Sequence, residues 1–390
     1  MKILHTSDWH IGKKLYGKER LTEQRAALFE IAEIAEQNEV DIVLVAGDIF
    51  DVYTPSNESE EIFYDAVLKI ANKKRLVLII AGNHDDPVRL SAACNLANKH
   101  GIIIVKSLNY KPDKIKTRLA EVVKSECGGV VVKDNFNQTC AIAFLPYPGG
   151  CEESFKEVKT YSQKVSELIN NKIFSKDTYN IMLSHFFTLG ANSVSDERNI
   201  ELGGTRIVDL SEFDNLINYI MLGHIHKMQN LSKDKKIFYC GSILQNTFDE
   251  KCIKGVKIIE IKNNVLISDN FIELKSCKKL VKVEACSIDE ANKILSKNLD
   301  NYVELTLKLN EPLSFVENKE LRKNYPNLIS LILKLNDNQK KEHKSVRHLN
   351  SNDLFVEFWK EKYSVQPSVE ILELYLKLVG EGIETQKLSG

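Results

Sequence analysis

Val43-Leu44-Val45-Ala46-Gly47-Asp48-Ile49-Phe50-Asp51 is an apolar run of strand length that stops at a glycine and is followed at once by a carboxylate. A short continuous apolar run closed by a turn residue reads as a strand buried on both faces. The arrangement recurs four times: Ile3 to Ser7 before Asp8-Trp9-His10, Leu76 to Ala81 before Gly82-Asn83-His84-Asp85, Asn180 to Ser184 before His185, and Tyr219 to Leu222 before Gly223-His224-Ile225-His226. Five strands that each end in Asp, Asn or His predict one sheet delivering ligands to a common edge. The carboxyl edge of an open α/β sheet is where sites form. Asp48 then sits in the middle, able to bridge two metal ions.

Outward from that run, Leu28, Ile31, Ile34 and Ala35 recur at helical spacing in Leu21 to Gln37. The strand–helix–strand order predicts a right-handed crossover and a largely parallel core. Glu58 to Lys73 and Arg89 to His100 read as two further helices, the latter striped by Leu90, Ala93, Cys94 and Ala97. Asp134-Asn135-Phe136-Asn137 separates two strands of a hairpin, Val158 to Asn170 reads as a helix, and the segment holding Asp196-Glu197-Arg198 and Gly203-Gly204 as a substrate-facing loop. Ile237 to Cys240, Gly255 to Ile261 and Val265 to Glu273 read as antiparallel strands. Composition shifts near Lys275. Residues 275–335 read as a small α+β domain, with Val303, Leu305, Leu307 and Leu309 alternating as in a half-buried strand. A Lys-rich linker (336–352) and a tail with two helical apolar faces (353–390) follow.

The 390 residues allow two domains, and 43% apolar with 27% charged residues is ordinary for a globular protein. A net charge of −1 offers no global attraction to nucleic acid, so any such binding needs a local basic patch. The eight cysteines lack a Cys-x-x-Cys spacing, which predicts reduced thiols in a cytoplasmic protein. No apolar run nears the ~18 residues that span a membrane, and a strand at the very start argues against a cleaved targeting segment.

Asp8, His10, Asp48, Asn83, His185, His224 and His226 offer nitrogen and oxygen donors with no thiolate, a set suited to Mn²⁺, Fe or Zn²⁺ but not to a structural zinc site. With Asp48 bridging, these ligands fill two sites, and two close cations clamp a phosphate for in-line attack. His84 can protonate the leaving oxygen or steady the equatorial ones, with Asp85 expected to orient its imidazole. His5, inside its strand, reads as a core histidine. The basic loop with Lys13, Lys14, Lys18 and Arg20 lies where a phosphate backbone would pass. Residues alone lead to two-metal phosphoester hydrolysis.

Asp8-x-His10, Gly47-Asp48-x-x-Asp51, Gly82-Asn83-His84-Asp85, His185 and Gly223-His224-x-His226 resemble the motifs of the calcineurin-like metallophosphoesterases. Within them, the runs His5 to Gly12, Ala81 to Asp85, Ser195 to Arg198 and Met221 to His226 with Gln229 look like those of the SbcD nuclease family. The resemblance implies an α/β fold: a β-sandwich flanked by helices (1–274), a capping domain (275–335) and a helical tail that docks an ATPase. It implies one metal on Asp8, His10, Asp48 and His226, another on Asp48, Asn83, His185 and His224, and His84 as the catalytic histidine. It further implies Mn²⁺ (with Mg²⁺, Fe or Zn²⁺ as substitutes) and a coiled-coil SbcC-like ATPase, with two copies of each chain. The expected activities are 3′→5′ exonuclease on duplex DNA and endonuclease on hairpins and single strands, in repair, recombination and replication. The nuclease dimer is expected through Ile62 to Ile70 and Arg89 to Ala97. A small-molecule phosphodiesterase is the alternative, and a DNA-end scaffold a weaker one. Val52, where phosphoprotein phosphatases of the superfamily carry Arg, counts against those enzymes.

Overall fold

The apolar runs are buried on both faces, but in two sheets. The computed structural model describes residues 1–149, 160–169, 173–192, 206–231, 236–335 and, in the tail, 355–356, 358–360, 365–368, 370–372 and 374–375. The chain opens with β1 (Lys2–Thr6), α1 (Leu21–Gln37), β2 (Ile42–Ala46), α2 (Asn57–Ala71), β3 (Leu76–Ile80), α3 (Pro87–Leu90), α4 (Cys94–Asn98) and β4 (Ile102–Ile104). It continues through β5 (Ala120–Glu126), β6 (Gly129–Asp134), β7 (Thr139–Leu145), α5 (Tyr161–Leu168), β8 (Tyr179–His185), β9 (Tyr219–Gly223), β10 (Gln229–Asn230), β11 (Lys236–Tyr239), β12 (Gly255–Lys262) and β13 (Val265–Glu273). One sheet runs β13-β12-β1-β2-β3-β4 and the other β10-β11-β9-β8-β7-β6-β5. The expectation of a single sheet is therefore corrected. β1, β2 and β3 pair in parallel in the first sheet, while β8 and β9 pair in parallel in the second. β11 runs parallel to β9, not antiparallel as its sequence suggested.

Period-two alternation explains how a wholly apolar strand serves two layers. In β2, Val43 and Val45 pack with Leu28 and Ile31 of α1 and Phe63 of α2. Ile42, Leu44 and Ala46 point the other way, into a core shared with Ile142, Ile181, Leu183 and Met221 of the second sheet. That sheet's outer face, with Met182 and Leu222, is covered by Val165 of α5. The result is a helix–sheet–sheet–helix sandwich whose carboxyl edges coincide. His5 lies in this core, as expected. Burial, with the Lys257 charge adding to it, lowers its pKa to about 3 and keeps the ring neutral.

Two helices differ from their sequence reading. The stripe at Arg89 to His100 is broken into α3 and α4 by a turn at residues 91–93, where the Ser91 hydroxyl donates to the Val88 carbonyl (3.2 Å). Asp86 caps α3, accepting from Val88 N at 2.9 Å. Of the stretch expected from Val158 to Asn170, Tyr161–Leu168 forms α5, with Thr160 and Gln163 making a capping box, and residues 158, 159 and 170 lie outside the described ones.

Beyond Lys275 lie β14 (Leu280–Ala285), α6 (Ile288–Ser296), β15 (Tyr302–Leu309), α7 (Phe315–Asn324) and β16 (Leu328–Leu335), with the strands ordered β14-β15-β16. Val303, Leu305 and Leu307 are fully buried, as the alternation predicted, but Glu304 is buried with them and Leu309 is only half-buried. The chain divides into two compact units: Met1–Lys308 with Leu313–Lys334, and Leu309–Pro312 with Leu335–Gly390. In the second, the rings of Phe355 and Tyr375 stack with centroids 4.0 Å apart. The expected linker, Ser195 to Arg198 and Gly203-Gly204 lie outside the described residues. Among those described, no helix is long and apolar enough to cross a membrane.

Candidate metal centre

Parallel pairing of β1 with β2 does not stop at the strand ends. Asp8 N donates to Gly47 O (3.0 Å), His10 N to Asp48 O (3.0 Å) and Ile11 N to Ile49 O (2.9 Å), which brings the two ligand-bearing turns into register. Asp8 (φ +51°), His10 (φ +44°) and Asp48 (φ +52°) adopt left-handed backbone, so each side chain turns back over the sheet edge. Asp48 Oδ1 accepts from His84 N at 2.9 Å, tying the turn after β3 to the same point. From the second sheet, His185 Nε2 lies 3.4 Å from Asp48 Oδ2 and 3.0 Å from Asn83 Oδ1, while its Nδ1 is 2.7 Å from Ala46 O. His224 N donates to Asp8 Oδ1 (2.9 Å), and its ring Nδ1 is 2.8 Å from Asn83 Oδ1. His226 Nε2 faces His10 Nε2 at 3.0 Å.

Glycine makes this approach of two sheets feasible. A Cβ on Gly223 would lie 1.9 Å from Ala46 O, and one on Gly47 would lie 2.5 Å from His185 Nδ1. The side chains brought together form three overlapping buried sets, Asp8-His10-His226, His10-Asp48-His84 and Asp8-Asp48-His185, the ligand atoms of each within 4.8 Å of one another. Asp48 and Asp8 each belong to two of them.

This cluster is a divalent-metal site by its own electrostatics. Asp8 Oδ2 is buried without a hydrogen-bond partner, an expense a cation would remove. Burial raises the Asp8 pKa, whereas for Asp48 the burial penalty is outweighed by His185, His10 and His84, which hold its carboxyl well below the usual range. For His185 the burial penalty is likewise outweighed by Asp48, raising the imidazole to about 9. The facing pair His10 and His226 is shifted in opposite directions. Burial opposes charge on both, but Asp51 and Asp48 raise His10, while His10 and Lys254 add to burial in lowering His226. Imidazoles here supply the positive charge that a divalent ion would supply instead.

Asp85 does not do what its position suggested. Its oxygens accept from the backbone N–H of Gly82 (2.8 Å), Ile49 (3.1 Å) and Phe50 (3.0 Å), so it stitches the β2 and β3 turns together. The His84 ring is aimed by its Nδ1, 2.7 Å from the carbonyl of Asp51. Asp51, quoted in the sequence motif but given no role there, also sets a carboxylate oxygen 3.5 Å from His10 Nδ1 and 3.3 Å from Lys13 Nζ. Burial raises its pKa, but the His10 bond and the Lys13 charge more than offset that, taking it to about 2. Tyr147, read only as part of a Pro-rich break, stacks near His224 with centroids 6.2 Å apart.

The basic loop is corrected as well. Arg20 is buried, with Nε 2.8 Å from Glu23 Oε2 and Nη1 donating to Gln245 O at 2.6 Å. Lys18 donates to Pro326 O (2.6 Å) and lies over the Tyr302 ring, and Lys14 pairs with Glu19. Arg20 and Lys18 fasten the loop, whereas Lys14 is exposed beside Glu19 and Lys13 stands beside Asp51 at the cluster. Lys13 lines a cavity of about 1040 Å³ together with Lys14, Tyr16, Asp51, Asn246 and Thr247.

Comparison with known proteins adds the lineage. Residues 1–228 match the calcineurin-like phosphoesterase family model. The chain is 30% identical to the SbcD component of the SbcCD nuclease from Bacillus subtilis, over 99% of each chain. It is 28% identical to the SbcD component from Staphylococcus epidermidis, over 79% of each. A dimetal phosphatase structure from Danio rerio overlaps 70% of this chain and 99% of its own, at 10% identity and a TM-score of 0.38.

Proposed function

This chain belongs to the calcineurin-like phosphoesterases, and within them to the SbcD nucleases; from that premise we propose a two-metal nuclease that cuts DNA phosphodiesters with an SbcC-like ATPase partner. It is a metal-dependent phosphodiester hydrolase. The observation that carries the fuller reading is the trio of overlapping buried sets sharing Asp8 and Asp48, with an orphaned Asp8 oxygen among them.

Asp8, His10, Asp48 and His226 would hold one ion and Asp48, Asn83, His185 and His224 the other, with Mn²⁺ as the metal. Two divalent ions supply, when bound, Lewis-acid polarisation of a phosphodiester and a water of lowered pKa. The chain's own groups do the rest. Asp48 keeps the two half-sites in one register through its bonds to His84 N and the His185 ring. His84, aimed by the Asp51 carbonyl, delivers a proton to the leaving oxygen. Lys13, held at the rim by Asp51, attracts the phosphate backbone. Tyr147 narrows the approach on the His224 side.

Residues 275–335 serve as the cap, and the tail from 353 docks the ATPase. Homodimerisation uses α2 with the α3–α4 region, a reading supported by exposed Leu68 and Leu96 on an apolar cavity of about 280 Å³ lined by Tyr64, Val67 and Ala97. The activities follow the family: 3′→5′ degradation of duplex ends and cleavage of hairpins and single strands in repair and recombination. The test follows an end-labelled duplex in Mn²⁺, with and without the co-expressed ATPase. Manganese-dependent shortening, quickened by the partner and lost in His84→Gln, is the expected result. An inert duplex beside rapid hydrolysis of a small phosphodiester would transfer the reading to a small-substrate phosphodiesterase.

A further inference from the structure

His226 is the ligand candidate whose surroundings come from outside every motif. Its Nε2 points into the cluster, so its outer atom, Nδ1, must be managed by something else. The side-chain amide nitrogen of Asn246 lies 3.3 Å from that Nδ1. Turning the amide over places its isosteric oxygen there instead. The choice matters, because a neutral imidazole presents a lone pair at Nε2 only when Nδ1 carries the hydrogen, and that hydrogen needs an acceptor. An amide oxygen at Asn246 provides one.

Asn246 is itself held rigidly. Its backbone N–H donates to Glu250 Oε1 at 2.9 Å, and the N–H of Thr247 donates to the same oxygen at 3.2 Å. The buried Glu250 carboxylate pairs with buried Lys254. Lys254 Nζ then donates to the carbonyl of His226 (2.9 Å) and to Ser242 Oγ (2.7 Å), and Ser242 N donates to the same His226 carbonyl (3.1 Å). His226 is thus gripped at its backbone by Lys254 and Ser242 and at its ring by Asn246, with Glu250 joining the two grips. A buried ion pair is expensive to assemble and often no more stabilising than apolar packing, and here it holds two grips on one histidine in place.

We propose that Asn246 is a positioning residue for metal binding, accepting the Nδ1 hydrogen of His226 and so fixing the tautomer that turns Nε2 to the ion, with the Glu250–Lys254 pair as its clamp. The inference rests on the metal-centre reading above. Partners that orient a ligating histidine in this way contribute about 10–100-fold in metal affinity.

The test titrates Mn²⁺ into metal-free full-length protein by calorimetry, with the bound-manganese electron spin resonance as a second readout. Wild type is compared with Asn246→Ala, Asn246→Asp and His226→Ala. The expected result is that Asn246→Ala weakens one of the two manganese equivalents about 10–100-fold, leaves the other unchanged, and retains the wild-type circular dichroism. Asn246→Asp, which keeps an oxygen at the same reach, restores the affinity. Ala at 246 adds nothing to the loss caused by His226→Ala, since both act through one ring. Wild-type affinity at both equivalents in Asn246→Ala, or a deficit that Asp fails to restore, overturns the role of Asn246 alone. Wild-type protein that takes up no manganese overturns the metal-centre reading and this one with it.

Discussion

Asp8, His10 and Asp48 reach the centre from the first sheet on left-handed backbone, in turns zipped together by main-chain hydrogen bonds. His185 and His226 reach it from the second sheet on ordinary backbone, and each is aimed through its outer ring nitrogen, one by the Ala46 carbonyl and the other by the Asn246 amide. The first group is positioned by its own peptide, the second by partners on other segments of the chain. Damage to the first should therefore remove the centre outright, while damage around the second should detune it.

The severest break is expected from Asp48→Asn, which removes the charge common to two of the three sets. Loss of activity on the order of 10³-fold is expected, together with loss of manganese binding; calorimetry that finds both ions still bound would refute the bridging role. His84→Gln should cost about 10²–10³-fold in kcat while manganese affinity stays intact, since His84 contributes a proton and not the frame. A variant that loses metal and rate together would put His84 among the ligands instead. Gly223→Ala attacks the seam between the sheets, because the new methyl would meet Ala46 O at 1.9 Å. Urea unfolding should show a loss of about 1–3 kcal/mol, and an unchanged midpoint would mean that the sheets can part without penalty.

The imidazole side can be sharpened by pH. His185 has a pKa of about 9 in the folded, metal-free protein against 6.5 for the free side chain. A raised histidine contributes stability that is complete below the unfolded value and fades as pH climbs through the folded one. The melting temperature of the metal-free protein should thus fall between pH 6.5 and about 9. Manganese affinity should rise over the same interval, as the ion replaces the proton; a flat melting profile would argue against the His185–Asp48 pair. The smallest effect separates the basic residues. Lys13→Ala should reduce the salt slope of DNA binding by about one unit, whereas Arg20→Ala should leave that slope alone and lower stability through its lost bonds to Glu23 and Gln245.

The same contrast explains what could be read before the structure was known. A ligand that directly follows an apolar strand announces itself, because strand end and sheet edge are one place; Asp8, Asp48, Asn83, His185 and His224 were legible for that reason. Partition of the five strands between two sheets was not legible from the residues, since a strand buried on both faces looks alike in either. The alternation at Val303, Leu305 and Leu307 in β15 was plain, being a period-two pattern. Asn246, Glu250 and Lys254 carry no local signal, and their role arises only when β11 and β12 bring their connecting loop under His226. Arg20 and Lys18 misled because a basic loop reads the same whether its cations meet phosphate or meet Glu23, Pro326 and Tyr302. Asp85 misled because neighbours in sequence point to different sides of a turn.

Left-handed backbone at Asp8, His10, Asp48 and His224 has an implication for selection. Each such non-glycine residue carries about 1–3 kcal/mol of backbone strain, which in the bare chain is set against the bonds that the Asp48 and Asp8 carboxylates accept from His84 N and His224 N. A laboratory screen for heat resistance alone, run without manganese, should therefore press only weakly for these ligands and let hardy proteins that have lost their chemistry pass. Run with manganese present, the same screen should hold all four in place, because the ion then rewards the residues that bind it.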